Sequence, residues 1–225
     1  MPDALDLAPL IDHTVLKPDA TREDEERACA EAREYGFAGV CVRLEHVAIV
    51  ARSLAGTRSR PISVVAFPSG TVGTAAKVSE ARQAIAAGAQ EIDMVIDLAA
   101  LKRHDYASVL RDLEAVVDAV RPHAVKAILE TGALTREQKA IAAALAKIAG
   151  AAFVKTSTGF GPGGATVEDV ALLREIVGLE MGVKASGGIR TAEDARKMIA
   201  AGANRLGTSA SVAIVTGKSA DVRRY

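Results

Sequence analysis

AAFVKTSTGFGPGGAT, residues 151–166, decides how the rest of the chain is read. A short apolar run, Phe153 and Val154, ends in Lys155, and polar and glycine residues follow until Thr166 opens a helix. A lysine at the end of a buried strand is badly placed for solubility and well placed for a cavity shaped by loops. GVKASGG, residues 182–188, repeats the arrangement with Lys184 in the matching position. Two such lysines point to amine chemistry or to recognition of an anion.

Outward from this stretch, short apolar runs alternate with helical patterns. Strands are predicted near Leu10 to Asp12, then at 38–42, 62–67, 91–98, 124–131, 153–157, 182–186 and 204–209. Helices are predicted from Thr21 to Gly36, over 45–54, from Val72 to Ala87, over 106–120, from Thr135 to Ile148, from Thr166 to Ile176, from Thr191 to Ala200 and near Val212. The pairs Thr21/Asp24, Thr135/Gln138, Thr166/Asp169 and Thr191/Asp194 have the spacing of helix N-caps. Parallel return needs a crossover, and near-continuous apolar strands suit a sheet covered by helices. Eight strand–helix units therefore predict an α/β fold, a closed eight-stranded parallel (β/α)8 TIM barrel. A doubly wound open sheet is the alternative, with fewer strands and two open edges. No linker interrupts residues 1–225, which read as one TIM-barrel domain. The final segment GKSADVRRY, 217–225, lacks apolar periodicity and is expected to be a flexible tail, unless Tyr225 folds over the cavity.

The composition fits this scaffold. The 225 residues are 49% apolar but only 3% aromatic, so Ala, Val, Ile and Leu must build the core. Lys plus Arg and Asp plus Glu both number 28, and this balance gives no basic excess for binding nucleic acid. Cys29 and Cys41 do not resemble a disulfide framework or a metal cluster, and two free thiols are expected. Neither a signal peptide nor an apolar run of membrane-spanning length is recognised, so a cytoplasmic protein without membrane association is expected. His13, His46, His104 and His123 lack metal-ligand spacing, and neither a metal nor another cofactor is expected.

Barrel active sites lie at the C-terminal ends of the strands. That rule draws Asp12, Asp93, Lys126, Lys155 and Lys184 together, with Cys41 and Arg205 nearby. Asp93 lies between Ile92 and Met94, and Lys184 between Val183 and Ala185, so alternation turns these charges into the barrel. A structural ion-pair network is the bland reading of the cluster, but buried pairs gain little without good geometry. Crowded ammonium groups disfavour one another's protonation. An ordinary lysine is under about 1% free amine near pH 7, and lowering its pKa by about three units takes about 4 kcal/mol and makes a nucleophile. Glu130 is read either as a partner of Lys126 or as part of a proton path. Cys41 reads as a small buried hydrophobe. The glycines after the sixth, seventh and eighth strands, with Ser209, are expected to bind phosphate through backbone N–H groups.

These residues carry a resemblance. DHTVLKPDAT (12–21), EIDMVI (91–96), VKAILETG (125–132), FVKTSTGF (153–160), VKASGGIRT (183–191) and RLGTS (205–209) together resemble the deoxyribose-phosphate aldolase family over nearly the whole chain. The resemblance implies a metal-free class I aldolase, a homodimer, acting on a small sugar phosphate. It implies Lys155 as the Schiff-base nucleophile, Lys184 as the second lysine that lowers its pKa and relays protons, Asp93 as proton donor and acceptor, and Asp12 as supporting acid. It further implies Gly159, Gly187, Gly188 and Ser209 around the phosphate, Cys41 near the substrate, and Tyr225 as a tail residue moving a proton at C2. The chain departs from the family pattern at Gly161 and Pro162, at Ala210 where a second serine is common, and at Ser69. These departures bear on substrate affinity more than on reaction type. Another lysine aldolase or a transaldolase is the enzyme alternative, and a non-catalytic sugar-phosphate sensor is the alternative from another class.

Overall fold

The computed structural model describes residues 6–217. Eight parallel strands close into a barrel: β1 Ile11–Thr14, β2 Gly39–Val42, β3 Arg60–Val65, β4 Glu91–Val95, β5 Ala124–Ile128, β6 Phe153–Lys155, β7 Gly182–Ser186 and β8 Arg205–Thr208. Closure is direct, with Ile11 of β1 registered against Leu206 of β8 and Asp12 against Gly207. The open-sheet alternative is thereby excluded.

The helices are α1 Arg22–Tyr35, α2 Val47–Ser53, α3 Thr74–Ala86, α4 Leu98–Lys102, α5 Tyr106–Val120, α6 Arg136–Ile148, α7 Val167–Val177, α8 Ala192–Ala200 and α9 Ser211–Thr216. Their starts follow local chemistry. Thr21, Thr135 and Thr191 form reciprocal capping boxes with Asp24, Gln138 and Asp194. Thr166 caps the Asp169 N–H, but the Asp169 carboxylate turns to Lys139 at 2.6 Å and ties α7 to α6 instead.

Several boundaries differ from the sequence reading, and the strand expected over 124–131 ends at Ile128, with a 3₁₀ turn at Thr131–Ala133. The helix expected over 45–54 is a 3₁₀ turn, Leu44–His46, followed by α2. The strand expected over 91–98 stops at Val95, and short helix α4 starts at Leu98, where the Asp97 side chain accepts the Ala100 N–H and caps a new turn. Gly217 belongs to the end of α9, its N–H bonded to the Ala213 carbonyl, and the rest of the expected tail, Tyr225 included, lies outside the described residues.

The large apolar core lies between strands and helices, and Ile92, Met94, Val125, Ala127, Val154 and Val183 face it. The period of two along a strand then sends the alternate residues into the barrel. On the β1–β3 side the lumen is apolar, with Leu16, Cys41, Ile62 and Val64 packed together beneath Phe67. On the opposite side it is charged. No helix among the described residues is long and apolar enough to cross a membrane.

Candidate active site

Strand register assembles the charged wall. Val64, Asp93 and Lys126 are successive partners across β3, β4 and β5, and Lys155, Lys184 and Arg205 across β6, β7 and β8. Neighbours in register point to the same side of a sheet, so both rows enter the lumen. The ends of β6 and β7 are pinned where the lysines emerge. Thr156 donates its hydroxyl to the Ser186 carbonyl, and the Ser186 N–H donates back to the Thr156 hydroxyl, each at 3.0 Å. Gly207 makes room for the Lys184 stem, since a Cβ there would come within 3.0 Å of its Cε.

Asp93 is the centre of the arrangement. Its Oδ1 accepts from Lys126 Nζ at 2.7 Å, and its Oδ2 accepts from both Lys155 at 2.8 Å and Lys184 at 2.7 Å. Lys184 also donates to Asp12 Oδ2 at 2.5 Å, and Arg205 holds Asp12 Oδ1 at 2.8 Å. Glu91, two residues before Asp93 and so on the same face, pairs with Lys126 at 2.6 Å, Arg205 at 3.2 Å and Arg60 at 2.5 Å. Burial opposes ionisation of all three acids, but the cations outweigh it. Lys126, Lys155 and Lys184 hold Asp93 well below the usual carboxylate range, and Asp12 and Glu91 are also lowered. Burial likewise opposes charge on Lys184, yet Asp12 and Asp93 prevail and raise its pKa above the ordinary lysine value. Lys184 is therefore a fixed cation sharing an oxygen with Lys155. Lys155 is the last residue of β6, whereas Lys126 and Lys184 are the middle residues of β5 and β7, so Lys155 stands at the C-terminal end of its strand.

Among the other sequence candidates, Cys41 lies in the apolar half of the lumen. Burial first, and Asp93 second, push its thiol up to about 11 and keep it protonated. Arg205 opens β8 rather than closing it, so its guanidinium supports Asp12 from the N-terminal end of the barrel, where it lines a cavity of about 380 Å³. Glu130 does not reach Lys126. It accepts instead from the Thr158 N–H at 3.3 Å and the Thr158 hydroxyl at 2.5 Å, because its backbone stands in the left-handed region at φ 52°. Gly159 and Gly187 meet: a Cβ on Gly187 would lie 3.7 Å from the Gly159 Cα and 3.0 Å from the Gly164 Cα. Gly188 faces open space, and Ser209 is exposed after β8. The Thr208 hydroxyl donates to the Ile189 carbonyl at 2.7 Å, tying the β8 end to the β7 loop. Glu91 is the residue the sequence reading missed, although its two-residue spacing from Asp93 was the signal. Among the described residues, no group of three or more His, Cys, Asp or Glu could hold a metal ion.

A family model described as DeoC/LacD family aldolase matches residues 7–217. The chain belongs to the DeoC/LacD aldolase family. As such it is a lyase. It is 53% identical over 222 residues to a deoxyribose-phosphate aldolase of Clostridium novyi, covering 98% of this chain and all of that protein. It is 54% identical over 217 residues to that of Thermococcus gammatolerans, covering 95% and 96% of the two chains. Among solved structures, the tetrameric deoxyribose phosphate aldolase from Aeropyrum pernix superposes with a TM-score of 0.87 at 33% identity, covering 94% of this chain and 90% of that one. The lysine–aspartate lumen thus belongs to a DeoC/LacD barrel that matches such proteins over nearly its full length.

Proposed function

We propose that this aldolase reversibly cleaves 2-deoxy-D-ribose 5-phosphate to D-glyceraldehyde 3-phosphate and acetaldehyde through a Schiff base on Lys155. The observation that carries the reading is the shared Asp93 Oδ2, which sets Lys155 beside both a base and the fixed cation Lys184. The charge balance supports the same choice of nucleophile. Inside the barrel, Lys126, Lys184 and Arg205 already match Asp12, Glu91 and Asp93 one for one, which leaves Lys155 as the amine the cluster does not need for pairing.

The Lys155 Nζ adds to the C1 aldehyde of the open-chain sugar, and loss of water leaves an iminium ion. The Asp93 carboxylate takes the C3 hydroxyl proton, directly or through a water. The C2–C3 bond then breaks, its electrons pass to the iminium to give an enamine, and glyceraldehyde 3-phosphate leaves. Protonation of C2 and hydrolysis release acetaldehyde and restore the amine. Lys184, which donates to both Asp93 and Asp12, passes the proton that Asp93 must lose on toward C2 by giving up one N–H proton as it gains another, so that it stays a cation. Gly159, Gly187, Gly188 and Ser209 hold the phosphate at the far end of the substrate, where backbone N–H groups can approach it closely.

Borohydride reduction with 2-deoxyribose 5-phosphate, followed by peptide mass mapping, tests the reading. A two-carbon adduct on Lys155 is expected. An adduct on Lys184 would exchange the two roles. A folded protein that binds the sugar phosphate and forms no adduct would reject the Schiff base and leave a sensor.

A further inference from the structure

We propose that Glu130 is a positioning residue that seats the loop after β6, and with it the Gly159 backbone and the Phe160 ring, around a phosphorylated substrate. As far as turnover is concerned, this rests on the aldolase reading above. Glu130 is 4% exposed and stands on the turn after β5, away from the Asp93 cluster. A buried carboxylate needs partners. The partners here belong to the neighbouring loop: the N–H and the hydroxyl of Thr158 both donate to its Oε2. The Thr158 hydroxyl in turn accepts the Phe160 N–H at 3.0 Å. Phe160 meets Phe67 of the β3 loop edge-on, with ring centroids 5.3 Å apart, across the mouth of the barrel. One chain of contacts therefore runs from Glu130 through Thr158 to an aromatic pair, and Gly159 lies between its last two links.

The packing around the chain leaves the loop one seat. A Cβ on Gly161 would lie 2.6 Å from the Glu130 carboxyl carbon, and a Cβ on Gly132 would lie 1.8 Å from the Pro162 carbonyl oxygen. The same turn is bonded to the start of the loop, with the Leu129 N–H on the Lys155 carbonyl and the Thr131 N–H on the Thr156 carbonyl, both at 2.9 Å. These backbone bonds hold Lys155 and Thr156 without help from the Glu130 side chain. What that side chain adds begins at Thr158, where the loop turns toward Gly187 and Gly164. Loss of the carboxylate is therefore expected to loosen the phosphate end of the site and to leave the amine in place.

The test compares Glu130→Ala, Glu130→Gln and Thr158→Val with wild type on 2-deoxyribose 5-phosphate and on unphosphorylated 2-deoxyribose. Hydrogen bonds to a charged group correspond to roughly a tenfold effect or more. Glu130→Ala and Thr158→Val should raise KM for the phosphorylated sugar by about tenfold or more, with kcat changed less than about threefold. Their kcat/KM on the unphosphorylated sugar should change less than about threefold. Glu130→Gln keeps an acceptor for the Thr158 hydroxyl and should recover most of the loss. Equal losses on both sugars, or a loss confined to kcat, would overturn the proposal in favour of a proton-transfer or general scaffold role. Stabilisation by inorganic phosphate, read as the concentration that raises the melting temperature, gives an arm independent of turnover. Glu130→Ala should need about tenfold more phosphate than wild type or Glu130→Gln. Equal phosphate responses, or none in wild type, would also overturn it. Should wild type cleave neither sugar, the aldolase reading fails while the phosphate comparison still judges Glu130. Should Glu130→Ala not fold, Glu130→Gln and Thr158→Val carry the same comparison.

Discussion

Replacing Lys184 with methionine removes one charge from a buried cluster and leaves a side chain of similar length. The Lys155 and Lys184 amines contact the same Asp93 oxygen, so they lie at most about 5.5 Å apart, and at an effective dielectric of about 20 the repulsion is about 3 kcal/mol. In Lys184→Met that repulsion is gone, and Asp12 and Asp93 both lose a cation. A proton on Lys155 restores the balance and takes away the lone pair the reaction needs. About 3 kcal/mol corresponds to a rate reduced roughly 100-fold. The assay is kcat/KM for 2-deoxyribose 5-phosphate as a function of pH. Lys184→Met should be about 100-fold slower near pH 7 and should recover progressively as pH rises. Lys184→Arg keeps the cation and should keep the wild-type position of the acidic limb. A deficit in Lys184→Met that is the same at every pH would refute the electrostatic argument and leave Lys184 only a proton-transfer or packing role.

Asp93→Asn should lower kcat by about 10²- to 10⁴-fold, the usual contribution of a positioned base, while single-turnover reduction still traps the sugar on Lys155. Loss of trapping would show that Asp93 is needed to form the imine. Asp12, Glu91 and Asp93 have lowered folded-state pKa values, so their stabilisation is fully present above the unfolded carboxylate range near about 4 and is lost as pH falls through the folded values. The urea midpoint should therefore hold from pH 7 to about 5 and drop progressively as pH falls below about 4, and Glu91→Gln should flatten that drop; an unchanged slope counts against the assignment. Ile62 is fully buried in the apolar half of the lumen, and Ile62→Ala should destabilise by about 2–5 kcal/mol in urea titration. Cys41, held as a thiol, should resist a thiolate-specific reagent at pH 8 until the protein is unfolded, and rapid labelling of the native state would contradict its placement.

The alternation of short apolar runs with capped helices was sufficient for the barrel, because strand period and helix caps are local properties. It failed at Asp97, where a side chain able to cap a new turn competed with continuation of the strand. The inward direction of Asp93, Lys155 and Lys184 was also legible, since each lies on a buried strand whose alternate residues are apolar.

What the sequence determined by itself was the repeated strand–helix unit and the residues that turn away from the helices, both set by interactions within a few positions. Which carboxylate meets which amine depends on strand register and on the length of each stem, and only the closed barrel fixes these. Asp93 gathers three lysines from β5, β6 and β7, and Glu91 joins Lys126 to Arg205, across sequence separations no local pattern encodes. Glu130 illustrates the same limit. Its residue type marked a charge beside Lys126, but the positive φ of its backbone sent the carboxylate to Thr158, and backbone conformation at such a turn is set by the packing of the next loop against it.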